Sequence, residues 1–99
     1  MEKYLYLIAL KPTDMESRTD IIPYLRDSGA VHVLDDVWLL KSHYRFAGDI
    51  RHEVERWREF QGRFFVVKLN QLADVASRGL SEEANSWLSE NFGPGAEHG

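Results

Sequence analysis

Two stretches of the chain carry apolar side chains on both alternating sets of positions. Residues 3–10 read KYLYLIAL, and residues 63–69 read RFFVVKL. Strands that are covered on both faces show this pattern, whereas a strand with one wet face alternates between apolar and polar residues. Both stretches are therefore predicted to be strands of a sheet that is covered on both faces.

Two further runs of strand-forming residues flank a pair of aspartates. In AVHVLDDVWLLKS, residues 30–42, Asp35 and Asp36 separate AVHVL from VWLLK. Two residues are enough for a β-hairpin turn, and aspartate favours turns because it bonds to the local backbone and tolerates left-handed conformations. We expect a hairpin with a two-residue turn.

A first helix is predicted in the segment IIPYLRDSG. Thr19 or Asp20 is its expected cap, and Gly29 is its expected end. Pro23 is tolerated without loss only in the first turn, whose N–H groups have no partner within the helix. The helix is therefore expected to begin no earlier than about Thr19.

Two more helices follow from the spacing of apolar residues and from the capping residues. Residues 49–60 place apolar side chains at helical intervals, and Gly62 is expected to end that helix. Ser81 is a good cap for a C-terminal helix over residues 81–92. Residues 94–99 are expected to form a frayed tail.

The predicted order is strand, helix, strand, strand, helix, strand and a C-terminal helix. This order is that of the α+β, ferredoxin-like βαββαβ fold, with a four-stranded antiparallel sheet and two helices on one face. Residues 1–93 are expected to be a single domain, because 99 residues are too few for two stable cores.

The second face of this sheet also needs a cover, because a large apolar surface is seldom left in contact with water. The C-terminal helix could cover it through Trp87, Leu88 and Phe92. The same face of a second copy could cover it instead, and a homodimer formed through the sheet is the preferred prediction.

Composition narrows the classes of function. The net charge of −4 gives no overall attraction to phosphate, so binding of nucleic acid would require a local basic patch. The absence of cysteine excludes disulfides, thiolate zinc sites and thiol chemistry. The sequence has neither a run of 18 apolar residues nor a signal-peptide pattern, so no membrane association and a cytoplasmic location are expected.

Acidic residues and histidines supply the candidates for catalysis. Asp35 and Asp36 could hold Mg²⁺ and its bound water if a turn lets both carboxylates converge. His32 precedes Asp35 by three residues and could act as a base oriented by that carboxylate, or could be a hydrogen-bonded interface histidine. The other histidines show no repeated spacing, so no histidine metal site is expected; they are His43, His52 and His98.

Arginines and aromatic residues are mixed between residues 43 and 63, as on surfaces that bind nucleic acid. Glutamates interrupt this mixture, and Arg51 with Glu55 forms an (i, i+4) pair typical of a solvated helix face. The better candidates lie outside the acidic helix. The candidate nucleic-acid-binding residues are Lys41, Tyr44, Arg45 and Arg63.

Four stretches, YLYLIAL, HVLDDVWLLKS, RFFVVKL and ASRGLSEEANSWL, together resemble a bacterial family of small ferredoxin-fold proteins usually labelled SinR-like. That family is similar to the smaller CRISPR-associated adaptation protein, an endoribonuclease-type family, and to the virulence-associated protein D toxins. The resemblance implies homodimers formed through the sheets. In the nucleases it also implies a shared metal site with an aspartate at the end of the first strand. Leu10 or Lys11 stands at that position here, and the nearest carboxylate is that of Asp14.

Three functions are therefore expected from the sequence. The first is a homodimeric module related to these families, with a nucleic-acid-associated or assembly role, no nuclease activity and no cofactor. The second is a metal-dependent endoribonuclease that uses Mg²⁺ with Asp14, Asp35 or Asp36. The third is a small regulatory protein that acts through protein contacts alone.

Overall fold

The computed structural model of the chain describes residues 3–57, 60–70 and 75–92. Its elements are, in order, β1 (Tyr4–Pro12), α1 (Met15–Asp27), β2 (Val31–Leu34), β3 (Val37–Ser42), α2 (Ala47–Arg56), β4 (Gly62–Leu69) and α3 (Glu82–Asn91). The four strands form one antiparallel sheet in the order β2-β3-β1-β4. The expected α+β, ferredoxin-like layout with an additional C-terminal helix is confirmed. The predicted tail at 94–99, with His98, lies outside the described residues.

The central strand β1 sets the register of the sheet. Near its start, Leu5 pairs with Lys41 of β3 and with Leu69 of β4. Near its end, Lys11 pairs with Arg63 of β4. Because β3 and β4 both run antiparallel to β1, the start of β1 lies beside the ends of β3 and β4.

The β2–β3 connection is the two-residue turn that the sequence predicts. Leu34 pairs with Val37, which leaves Asp35 and Asp36 as the turn residues. Asp35 has a φ of 45°, a left-handed conformation that aspartate tolerates better than most residues.

Helix α1 begins earlier than the sequence predicts. Its first residue is Met15 rather than a residue near Thr19, and its cap is Asp14, whose carboxylate accepts a hydrogen bond from the Ser17 N–H at 2.8 Å. Aspartate in this role satisfies one of the N–H groups that lack a partner within the helix.

Pro23 consequently lies inside α1 instead of in its first turn. A proline there removes one backbone hydrogen bond of the helix. The side chains of Ile21 and Leu25 on either side of it are 1% and 0% exposed. Burial of these two side chains against the sheet outweighs the local cost of the proline.

Helix α2 ends at Arg56, before the predicted end near residue 60. The backbone of Trp57 is extended, with φ −70° and ψ 105°. Its indole N–H donates to the carbonyl of Asp20 at 2.7 Å, and its ring lies 5.1 Å from that of Tyr24. The side chain of Trp57 therefore packs on α1 at the point where α2 ends.

The sheet has an apolar core on each face. Helices α1 and α2 cover the first face, where Tyr6, Ile8 and Trp38 are almost fully buried. Helix α3 covers part of the second face, as the sequence allowed for the C-terminal helix. The buried residues of this second core are Leu5, Val31, Leu39, Ala84, Leu88 and Phe92.

Candidate functional site

His32, Asp35 and Asp36 meet in a cleft between α1 and the β2–β3 hairpin, with a volume of about 510 Å³. The Nε2–H of His32 donates to the backbone carbonyl of Asp35 at 2.6 Å, so the histidine braces the turn. The Asp36 carboxylate lies 2.9 Å from Nε of Arg18. The His32 imidazole and the Asp36 carboxylate therefore each have a partner that stabilises the hairpin or its contact with α1.

The structure places His32 on the helix-covered face of the sheet. Its ring lies 5.0 Å from the ring of Trp38, which belongs to the core under α1 and α2. The imidazole therefore does not belong to the second face, where the sequence allowed an interface histidine.

Asp14 does not line the cleft that contains the other carboxylates. Its side chain caps α1 through the bond to Ser17. Across residues 3–57, 60–70 and 75–92, no group of three or more histidine, aspartate or glutamate side chains is arranged to hold a metal ion.

The end of the first strand does not fit the metal site that the family resemblance implies. Leu10 is 9% exposed and packs in the core under the helices. Lys11 is exposed and pairs with Arg63, so two cations lie side by side there. A hard cation such as Mg²⁺ prefers oxygen ligands, and neither Leu10 nor Lys11 offers one from its side chain.

The four candidate nucleic-acid residues do not form one surface. Lys41, Tyr44 and Arg45 lie at the start of β1, next to the end of β3. Arg63 of β4 pairs with Lys11, which lies six positions along β1 from Leu5, the partner of Lys41. Six positions correspond to about 20 Å at the rise of a strand. Arg63 therefore belongs to the opposite end of the sheet.

Two lysines that the sequence reading missed join Lys41 and Arg45. Lys3 lines a recess of about 200 Å³ together with Lys41. The ammonium of Lys68 donates to the backbone carbonyl of Arg45 at 2.8 Å and lies 4.1 Å from the centre of the Tyr4 ring. We call the set Lys3, Lys41, Arg45 and Lys68 the basic end.

The basic end is exposed and electrostatically uncompensated within the described part of the chain. All four residues are exposed. The ion pairs between described residues are Arg18–Asp36 and Arg51–Glu55, so none involves the basic end. An exposed group of like charges attracts phosphate more strongly than the net charge of the chain suggests.

Tyr44 fixes the loop that carries Arg45. Its hydroxyl donates to Oε1 of Glu53 at 2.8 Å, and its carbonyl accepts a hydrogen bond from the Tyr6 hydroxyl at 2.6 Å. The hydrogen bond to Glu53 is the main cause of a raised Tyr44 pKa. The exposed ring of His43 stacks on Tyr44, with 5.0 Å between the ring centres and 26° between the planes. Tyr44 therefore holds the loop in place, and the ring of His43 is the one that is accessible to a ligand.

No match to this chain was found among protein-family models, curated proteins or solved structures. The geometry of its own residues is therefore the basis for any assignment of function. Within the described ranges, no helix has the length and apolar character needed to cross a bilayer.

Proposed function

We propose that this protein is a nucleic-acid-associated module without nuclease activity, and that it binds the phosphate backbone of a single strand at the basic end. The observation that carries the proposal is that Lys3, Lys41, Arg45 and Lys68 all lie at one end of the sheet. They lie just before β1, in β3, in the loop after β3 and in β4.

The spacing of these cations suits a single strand. Neighbouring strands of a sheet lie about 4.8 Å apart, so the backbone positions of Lys41 in β3, Lys3 just before β1 and Lys68 in β4 extend over about 10 Å. One strand of nucleic acid carries a charge about every 3.4 Å along its axis, which corresponds to about three phosphates over that distance. The exposed His43 ring beside the cations offers a face on which a base could stack.

The absence of nuclease activity in this proposal is supported by what the candidate carboxylates do. Asp14 caps α1, and Asp36 pairs with Arg18. Asp35 occupies a turn position with a left-handed backbone. These are structural uses of aspartate, and they account for the residues without a metal-dependent reaction.

Fluorescence anisotropy with labelled single-stranded RNA and DNA between 50 and 200 mM salt tests the proposal. Three phosphate contacts give an expected slope of about −2.1 for log K against log salt concentration. The double variant Lys41→Ala/Arg45→Ala should bind more weakly, with a slope nearer zero by about 1.4. The matched control Arg26→Ala/Arg51→Ala removes the same charge from α1 and α2 and should retain the slope of the unmodified protein.

Other outcomes would contradict the proposal. A lack of binding to either polymer at low salt would favour the regulatory protein that acts through protein contacts. Mg²⁺-dependent cleavage that is lost in Asp35→Asn or Asp14→Ser would establish the nuclease, because both changes retain the local turn or cap chemistry. Cleavage that survives both changes would indicate a contaminating enzyme.

A further inference from the structure

An apolar groove of about 520 Å³ lies between the second sheet face and the part of the chain that leads into α3. Leu7 of β1, Val33 of β2 and Val37 of β3 line it from the sheet. Val75, before α3, and Leu88 of α3 also line it. Of these five side chains only Leu88 is fully buried, so hydrocarbon of the other four remains within reach of a ligand.

Ser77 and Arg78 are the only polar residues among the described residues that line the groove. The hydroxyl oxygen of Ser77 is buried and has no hydrogen-bond partner in the described part of the chain. A buried hydroxyl without a partner costs free energy, and folded proteins contain few of them. The wall of the groove therefore holds a hydrogen-bonding group that lacks an acceptor.

The neighbouring guanidinium of Arg78 has an uncompensated positive charge within the described ranges. Arg78 is exposed, and neither ion pair between described residues includes it. Glu82 and Glu83 follow closely in the sequence, but neither pairs with it. A guanidinium binds a carboxylate through two parallel hydrogen bonds. One negative charge with two acceptor oxygens therefore suits this position.

We propose that the groove binds a straight-chain carboxylate, whose hydrocarbon chain lies along the sheet and whose carboxylate is bound by Arg78 and Ser77. An apolar pocket with a few polar groups at one position is the usual form of a binding site for a small amphipathic ligand. A phosphate monoester suits the site less well, because it carries a charge between about −1.5 and −2 and the groove offers one cation. The proposal concerns a different surface from the basic end and does not depend on binding of nucleic acid.

The volume of the groove suits a chain of intermediate length. A dry cavity of about 150 Å³ holds one benzene ring, and sites for small ligands range from about 300 to 1,000 Å³. The groove, at about 520 Å³, is larger than the benzene cavity but open to solvent. A chain of about ten carbons is therefore expected, which is fewer than a closed cavity of this volume would hold.

Isothermal titration calorimetry of the full chain with hexanoate, octanoate and decanoate tests the proposal. We expect one decanoate per chain and a dissociation constant that falls up to about fourfold for each added methylene. The ligands 1-octanol and octyl phosphate have the same chain length as octanoate and isolate the effect of the charged group. Each should bind at least fivefold more weakly than octanoate, since 1-octanol has no charge for Arg78 and octyl phosphate has an excess of charge.

A filled groove tests the position of the hydrocarbon chain. Val37→Trp places an indole in the groove and should raise the dissociation constants of decanoate and 1-octanol at least tenfold. The matched control is Val67→Trp, because Val67 is 39% exposed on the same sheet face and does not line the groove. Circular dichroism verifies that both variants are folded. Should Val37→Trp not fold, Leu34→Trp replaces it, because Leu34 lines the groove and is 48% exposed.

Changes at the polar position test recognition of the carboxylate. Arg78→Gln should raise the dissociation constant of decanoate at least fivefold and leave that of 1-octanol unchanged. The control Arg56→Gln removes the same charge from α2 on the other sheet face and should have no effect. Ser77→Ala should weaken binding of decanoate about fivefold without lowering the free energy of unfolding of the unliganded chain, because it removes a buried hydroxyl that has no partner there.

Three results would overturn the proposal. One is a lack of binding of all three carboxylates. Another is binding of decanoate that both Val37→Trp and Arg78→Gln leave unchanged, which would place the ligand elsewhere. The third is binding of 1-octanol or octyl phosphate as tight as that of octanoate, which would refute recognition of a carboxylate.

Discussion

Gly62 lies where the start of β4 passes close to the end of β1. A Cβ atom at this position would lie 2.5 Å from the Lys11 carbonyl oxygen and 2.7 Å from Pro12 Cα, and φ is +146°. Both neighbours are backbone atoms that cannot move aside separately. We expect Gly62→Ala to lower the free energy of unfolding by about 2 kcal/mol or more, measured by urea denaturation.

Gly48 in α2 is the matched control for this substitution. A Cβ atom there would meet nothing within 4 Å, and the residue is helical. Gly48→Ala should raise the free energy of unfolding by up to about 1 kcal/mol. Equal effects of the two substitutions would show that the close approach at Gly62 is not what requires a glycine.

The same residue shows how far a sequence can be interpreted locally. The sequence indicated that Gly62 needs special backbone freedom, and this is correct. It assigned that freedom to the end of the second helix, whereas the residue begins β4 next to Lys11 and Pro12. The neighbour that excludes a side chain is 50 positions away along the chain, so no local pattern could identify it.

Asp14 is the N-cap of α1. Asp14→Ala should lower the free energy of unfolding by about 1 kcal/mol, because the Ser17 N–H loses its partner. Asp14→Ser should restore most of the loss, since serine also caps helices well. Urea denaturation of both variants, with Thr13→Ala as an exposed neighbouring control, measures the effect. Similar losses in the alanine and serine variants would mean that Asp14 does not act as a cap.

The elements that the sequence predicted best are those defined by short-range chemistry. The hairpin turn depends on the left-handed backbone that Asp35 tolerates, and the start of α3 depends on the Ser81 hydroxyl, which accepts a hydrogen bond from the Ala84 N–H. The predicted start of α1 is wrong because that prediction rests on the local cost of Pro23 alone. Burial of Ile21 and Leu25 against the sheet offsets that cost, and this contact exists only after the strands have assembled.

The antiparallel order of the strands determines which charged residues lie close together in the sheet. Clustering along the sequence linked Arg63 to Arg45, although the register places them at opposite ends of the sheet. The same register places Lys3 and Lys68 at the same end of the sheet as Lys41. This placement follows from the strand order that the sequence predicts. How much of the second sheet face α3 covers could not be predicted. An apolar pattern indicates that a face is covered, but it does not indicate how much of that face is covered.

The whole fold also contains three tyrosines whose ionisation opposes folding. Burial is the main cause that raises the pKa of Tyr6 and of Tyr24, and the hydrogen bond to Glu53 raises that of Tyr44. In the unfolded chain each hydroxyl ionises near pH 10. Above that pH the unfolded chain has lost protons that the folded chain still holds, so a further rise in pH favours unfolding.

We therefore expect the free energy of unfolding to retain the tyrosine contribution below pH 10 and to lose it as the pH rises through the higher folded-state values. Urea denaturation between pH 8 and 11.5 measures this dependence. In Tyr44→Phe the free energy of unfolding should decline less steeply above pH 10 than in the unmodified protein. In Tyr6→Phe/Tyr44→Phe it should decline less steeply still. This comparison separates the tyrosines from other groups that titrate in the same range, because those groups are present in every variant. Identical pH profiles for the three proteins would show that these hydroxyls ionise equally easily in the folded and unfolded chain.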